Sequence, residues 1–356
     1  MTGIRFGKTK TISITMKSKE NEYNFRIIKL LIPVIIGFVV IVFLFLNEFK
    51  YETLLSFRIG LNELLFLFFA LLFMFLRDVG MTWRFRIMSD NQLSLKSALN
   101  VHLLSEFTTA VTPAAIGGSS LVMLFLKREG VDFGKGVTIT MINLFLDELF
   151  FIFICPIILF FVPFSELFNN TSVITDTINT LFWSVYSGFV VWTVLIFIGL
   201  FIKPTIITNM ISLIFKLRFL NKWEPKSSSF ITNLLTASVE IRRKKIAFWL
   251  KLFGLTLLTW SARFLVVNML FLAFQSQINH WIVYGRQIIL WMVIHVTPTP
   301  GGSGFYEYMF KYYYSDIISN ASELLIIIAV WRLITYYIYL IAGTFIVSNW
   351  LKLSSK

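Results

Sequence analysis

From residue 27 to residue 347 the chain alternates long apolar runs with short polar breaks. Runs such as 30–46 and 61–76 approach the ~20 residues needed to cross a ~30 Å hydrocarbon core as a helix. They predict six spans, at about 27–46, 59–76, 137–163, 180–202, 248–274 and 324–347. Two stretches, 94–126 and 284–314, fit no span. Each consists of two apolar arms around a breaker, and the second breaker reads VTPTPGGSG. Proline lacks the N–H and glycine is conformationally loose, so neither breaker continues a helix. The first arm of the second stretch holds 13 residues (284–296), which as a helix is ~20 Å long and too short to cross.

Composition then excludes a soluble domain. The chain is 57% hydrophobic and only 14% charged, with mean hydropathy +0.77, 39 Phe and 10 Trp. A soluble fold of this length has too little interior to hide so much apolar side chain. The expectation is an all-α polytopic membrane protein. The first apolar run is followed by Asn47-Glu48-Phe49, not by a small-residue cleavage site, and reads as a retained span. The single cysteine, Cys155, excludes an intramolecular disulfide and reads as a packing residue. Three scattered histidines and that cysteine make no metal site, and no cofactor is expected.

A net charge of +13 invites a nucleic-acid reading, but its distribution speaks for topology. Seven Lys/Arg lie between Met1 and Lys29 and nine between Lys203 and Lys245, whereas Ser165–Asn179 has none. The positive-inside rule puts the first two regions in the cytoplasm and the third outside. Both termini are then cytoplasmic, with residues 1–26 as a basic tail and 27–350 as one transmembrane domain. Anionic lipids are the expected partners of the basic surface, nucleic acid is not, and a homo-oligomer stays open.

On this topology both breaker stretches start and end on one side, so they read as re-entrant hairpins with tips near mid-membrane. Non-helical backbone is tolerated there only inside protein or facing a watery cavity. The tips resemble each other: Thr112-Pro113 with Gly117-Gly118 aligns with Thr297-Pro298 and Gly301-Gly302. Each follows a long span and precedes another. The expected architecture is six full spans plus two hairpins in an inverted-topology repeat. Repeat one covers about 57–163, repeat two about 248–349, and a basic connection about 203–247 joins them. Short helices starting near Ser119 and Ser303 would aim their N-terminal amides at the midplane, which suits a phosphate.

Ionisable residues inside spans are expensive and are functional candidates by default. Arg263 and Arg332 are the candidate phosphate ligands, with Pro300, Gly301, Gly302, Ser303 and Glu307 at the second tip. His102 and Glu106, four apart on one helical face, join Asp147, Glu148 and His295 as candidates for proton coupling. Arg286 and Glu63 read as snorkelling near a surface, and Trp281 and Tyr312–Tyr314 as interfacial aromatics.

These motifs resemble the lysylphosphatidylglycerol synthase transmembrane domain family, whose region also occurs as stand-alone bacterial proteins. Thr112-Pro113 through Gly117-Gly118 is followed by Arg128-Glu129-Gly130. Pro298-Thr299-Pro300-Gly301-Gly302-Ser303-Gly304 precedes Glu307, and Arg332-Leu333 lies in the last span. The resemblance covers about residues 30–350 and implies a lipid-translocating domain. Ser119-Ser120 stand where the family often has a polar Gln-Pro or a Glu, which leaves the headgroup open. The aminoacyl-transferase domain of bifunctional members is not expected after Val347, so no enzymatic activity is expected either. The leading expectation is a flippase for an anionic or aminoacylated phospholipid or a polyprenyl phosphate. A secondary transporter of a small soluble anion is the alternative, and a membrane-embedded lipid-modifying enzyme comes behind both.

Overall fold

The computed structural model describes residues 60–112, 121–168, 173–203, 228–274, 278–295 and 301–354, with positions 206, 209 and 299. The basic tail, the expected span at 27–46, the tip residues Pro113, Gly117, Gly118 and Ser119, and the prolines Pro298 and Pro300 lie outside the described residues. Among the described residues all regular structure is helical.

The first helices are α1 (Leu61–Met88), α2 (Leu95–Val111), α3 (Val122–Arg128), α4 (Phe133–Phe161) and α5 (Phe164–Phe168). There follow α6 (Val173–Phe197) with a π-helical turn at Ile198–Ile202, α7 (Ser228–Arg242), α8 (Ile246–Phe274), α9 (His280–Ile294) and α10 (Phe305–Tyr314). The last long helix is α11 (Ala321–Arg332), running through a π-helical turn at Leu333–Tyr337 into α12 (Ile338–Ser354). Five of these helices are long and apolar enough to cross a membrane: α1, α4, α6 with its π turn, α8 and the α11–α12 helix. They correspond to the second to sixth spans expected from sequence. The α9 and α10 helices are ~22 Å and ~15 Å long, both short of the hydrocarbon thickness.

Local chemistry sets the boundaries. Asp132 accepts from the N–H of Gly134 at 2.8 Å, and Asn279 from that of Trp281 at 3.1 Å, capping α4 and α9. Asn320 does the same for α11 through Ser322 N–H. Pro156 removes the N–H that would reach the carbonyl of Ile152, and the Tyr186 hydroxyl of α6 donates to that carbonyl instead, at 3.1 Å.

The α1 and α8 helices form the most extensive helix pair. The α2 helix lies on α12, and the α9 helix packs against α8, α6 and α4. Two large apolar clusters result, beside a small one of Phe107, Ala110, Tyr336 and Leu340. One gathers the second half of α4, α8, α9, α10 and α11, around Phe151, Phe264 and Phe310. The other gathers the ends of α1 and α6 with the starts of α2 and α4, around Phe85, Val101 and Leu146.

Several surface assignments made from sequence change. Arg286 is 3% exposed and does not snorkel: it donates to Asp316 at 2.6 and 2.8 Å, to the Glu166 carbonyl at 2.9 and 2.7 Å, and to the Tyr313 carbonyl. Tyr313 and Tyr314 are buried core residues, the latter donating to the Val283 carbonyl, whereas Trp281 is half exposed as expected. Glu63 accepts from Gly60 N–H at 2.8 Å and so caps α1. Helix α1 also runs past residue 76 to Met88, carrying Arg77 and Arg84 inward as buried side chains where the sequence reading ended the span. The α10 helix starts at Phe305 with its first amide, that of Gly304, already held by the Glu307 carboxylate at 2.7 Å. That helix N-terminus is therefore occupied by an internal anion.

Candidate functional site

Where the two apolar clusters adjoin, a cavity of about 420 Å³ opens between α1, α2, α4, α6, α8, α9 and α11. Its polar wall includes Glu106, Asp147, Glu148, Arg263 and Arg332, and its aromatic wall includes Phe151, Trp260, Trp291, Tyr306 and Tyr336. Phe151 and Trp291 stack at 4.3 Å with 6° between their planes, and Trp260 meets Trp291 edge-on at 4.6 Å.

One described residue of the second breaker reaches this cavity. Gly301 lines it with φ +56°, and its N–H donates to the Thr112 carbonyl at 3.2 Å. A Cβ on Gly301 would stand 2.9 Å from the Ala110 carbonyl and 2.5 Å from the Tyr336 ring, so the close approach and the left-handed backbone both demand glycine. The Tyr336 hydroxyl donates to that same Ala110 carbonyl, and Ser303 donates to Tyr336. Thr112 contributes its carbonyl, while its hydroxyl turns back to Thr108.

Three ion-paired groups support the polar wall. Glu106 is shared by Arg263, at 3.3 Å, and by Arg77 of α1. Arg77 also meets Asp78, which takes a hydrogen bond from the Tyr339 hydroxyl at 2.7 Å and lies 2.9 Å from His102 Nε2. Asp147 pairs with Arg84 at 2.6 Å and accepts from Trp260 and Asn143. Arg332 donates through Nε to Glu307 at 2.7 Å, beneath the rings of Tyr306, Trp331 and Tyr336 at 4.8 to 5.2 Å. Its Nη2 has no hydrogen-bond partner among the described residues. A buried guanidinium nitrogen without a partner is costly until an acceptor reaches it.

Of the residues singled out from sequence, Glu106, Asp147, Glu148, Arg263, His295, Gly301 and Arg332 line this one cavity. Gly302, Ser303, Glu307 and Thr112 stand behind it. His102 faces Asp78 and does not line the cavity. Glu307 is 1% exposed and serves Arg332 and Gly304. Arg77, Asp78 and Arg84 were not anticipated as site supports. Their signal was Arg77 and Arg84 seven apart on one face of a helix that continues past the apolar run. Tyr336 and Tyr339 were legible in the same way, four and seven residues beyond Arg332.

The family model described as lysylphosphatidylglycerol synthase TM region matches residues 25–343. A UPF0104 membrane protein of Archaeoglobus fulgidus is 27% identical over 272 residues, which cover 74% of this chain and 79% of that protein. No solved structure matches the chain. With the family model covering most of the sequence, this chain is a membrane protein that belongs to the lysylphosphatidylglycerol synthase transmembrane region family.

Proposed function

We propose that the protein moves a phosphate-bearing lipid headgroup between the leaflets, with the headgroup in the 420 Å³ cavity and the acyl chains left in the bilayer. The observation that carries this is Arg332: a buried guanidinium at the cavity wall whose Nη2 lacks a partner among the described residues, with Arg263 on the same wall. Fixed donors in a low-dielectric pocket bind phosphate oxygens strongly. The contact of Gly301 with Thr112 supports the reading of two hairpin tips meeting at depth. The contacts of α2 with α12 and of α9 with α4 support an inverted repeat, in which rocking of one half would expose the cavity alternately. Lys135 and Lys244 both bind Asp90, so the α1–α2, α3–α4 and α7–α8 connections share one side, in keeping with a cytoplasmic basic face. The proposed activity makes and breaks no covalent bond.

Two classes of cargo fit a phosphate site, a lipid headgroup and a small soluble anion, and one experiment separates them. Purified protein in proteoliposomes is given labelled phosphatidylglycerol, its lysyl derivative or a polyprenyl phosphate, and separately a soluble phosphate ester. Arg263→Gln is the control, because Arg77 still neutralises Glu106 in its absence. Accelerated lipid exchange that falls at least tenfold in Arg263→Gln supports the proposal. Uptake of the soluble ester with no lipid exchange overturns it in favour of an anion transporter.

A further inference from the structure

The charges around the cavity balance in pairs with one exception. Arg77 and Arg263 stand against Asp78 and Glu106, Arg84 against Asp147, and Arg332 against Glu307. Glu148 lines the cavity, is 9% exposed, and has no cation partner among the described residues. It accepts a hydrogen bond from the Thr193 hydroxyl at 3.0 Å.

The elements packed on α4 bring no charge to spare. From α8 comes Arg263, committed to Glu106, and from α9 comes His295, whose Nδ1 donates to the Trp291 carbonyl at 3.2 Å. From α6 come Thr193 and the rings of Phe189 and Trp192. The titratable groups of α3 and α7, among them Lys127, Glu240 and Arg242, do not line the cavity. On α4 itself Asp147 carries the same sign as Glu148. An uncompensated carboxylate at this depth takes up a proton or a cation.

We infer that Glu148 is a proton carrier, loaded when the anionic headgroup binds and unloaded on the other side, so that cargo and one proton cross together. This rests on the translocation reading above. The headgroup phosphate adds negative charge beside an already unbalanced carboxylate, and one proton on Glu148 offsets it. Thr193 suits both states. Its hydroxyl donates to the carboxylate and accepts from the carboxylic acid, so the same contact survives protonation. The proton comes from water on the side to which the cavity is open and returns to water on the other. Nothing is oxidised or reduced.

The test imposes a pH gradient on proteoliposomes holding a lipid that the wild type exchanges without one. The wild type is expected to enrich the label in the leaflet facing the alkaline side, by up to about tenfold per pH unit for one proton per lipid. Glu148→Gln is expected to return that ratio to one whatever its downhill rate, and Glu148→Asp to restore part of it. In the wild type alone, lipid movement is also expected to change the lumenal pH. This second readout decides the matter if Glu148→Gln moves no lipid at all.

Exchange in the wild type that ignores the gradient and leaves lumenal pH unchanged would overturn the inference while leaving the translocation reading intact. A gradient response that persists in Glu148→Gln overturns it equally. If Glu148→Gln loses exchange only of lipids bearing an ammonium group, Glu148 is an ammonium ligand and the inference is wrong. If no lipid exchanges in the wild type at zero gradient, it is the translocation reading that fails.

Discussion

The amide of Gly301 donates to the carbonyl of Thr112 across 3.2 Å, a bond that joins the two breaker segments of the chain. Gly301 reaches it with φ +56°, and the Ala110 carbonyl and Tyr336 ring leave no room for a Cβ. Gly301→Ala should therefore cost about 1–2 kcal/mol in backbone conformation alone, with the steric clash added. A lowered melting temperature and slower lipid exchange are expected. Gly254→Ala, on the open face of α8 with nothing near its Cβ position, is the matched control and should leave exchange unchanged and stability no lower. Equal effects from the two would sink the tip-to-tip contact as a determinant.

Arg332 and Arg263 are unequal as probes. Arg332 and Glu307 are 4% and 1% exposed and neutralise each other. Removing one partner strands a buried charge, which costs roughly 3–5 kcal/mol. Arg332→Ala is thus expected to express poorly, while the pair Arg332→Gln with Glu307→Gln should regain much of the folded yield and still not move lipid. Arg263 is 23% exposed beside a Glu106 that keeps Arg77, so Arg263→Gln should fold normally and lose exchange. Yields from size-exclusion chromatography beside exchange rates decide both points.

Arg286 offers the opposite case, a buried arginine with a structural task. It bridges the Glu166 carbonyl, the Tyr313 carbonyl and Asp316. Arg286→Lys supplies a compact ammonium in place of a planar fork and cannot hold all three. A drop of about 2–3 kcal/mol in stability is expected from the unsatisfied groups left behind. The folded fraction should exchange lipid at the wild-type rate. Normal stability with lost exchange would contradict this assignment.

Asp90 joins Lys135 at 3.1 Å and Lys244 at 2.5 Å, tying three connections together at one end of the bundle. Burial pushes its carboxyl up, but hydrogen bonds from Lys244 and Lys135, with their charge, outweigh this and hold it below its ordinary value. A carboxylate depressed in the folded state adds stability that is complete above its unfolded pKa of about 3.9 and disappears as pH falls through the folded value. The stability gap between wild type and Asp90→Asn should be flat from about pH 7 to pH 5, then close under stronger acid. Because Asp90 is 40% exposed, half-molar salt should shrink the gap at neutral pH. A gap that grows on acidification would show the sign to be wrong.

Length and apolarity by themselves determined that the chain crosses a membrane as helices, and five of the expected spans stand where the runs predicted them. The breakers at 112–118 and 297–304 and the charged residues in mid-span were equally plain, because proline, glycine and ionisable groups stand out against an apolar background. Partnership was not legible. The sequence placed Glu106 beside His102, yet each reaches across to α1, to Arg77 and Asp78, because four-residue spacing sets a shared face and not what stands opposite it. Likewise Arg77, Arg84 and Arg286 look from sequence like surface charges at span ends. Only the close approach of α1 to α2 and α4, and of α9 to α5 and α10, supplies the carboxylates and carbonyls that let a guanidinium stay buried. Tertiary structure alone left Glu148 without a cation among the described residues, since an unbalanced charge is a property of everything around it and not of its own place in the chain.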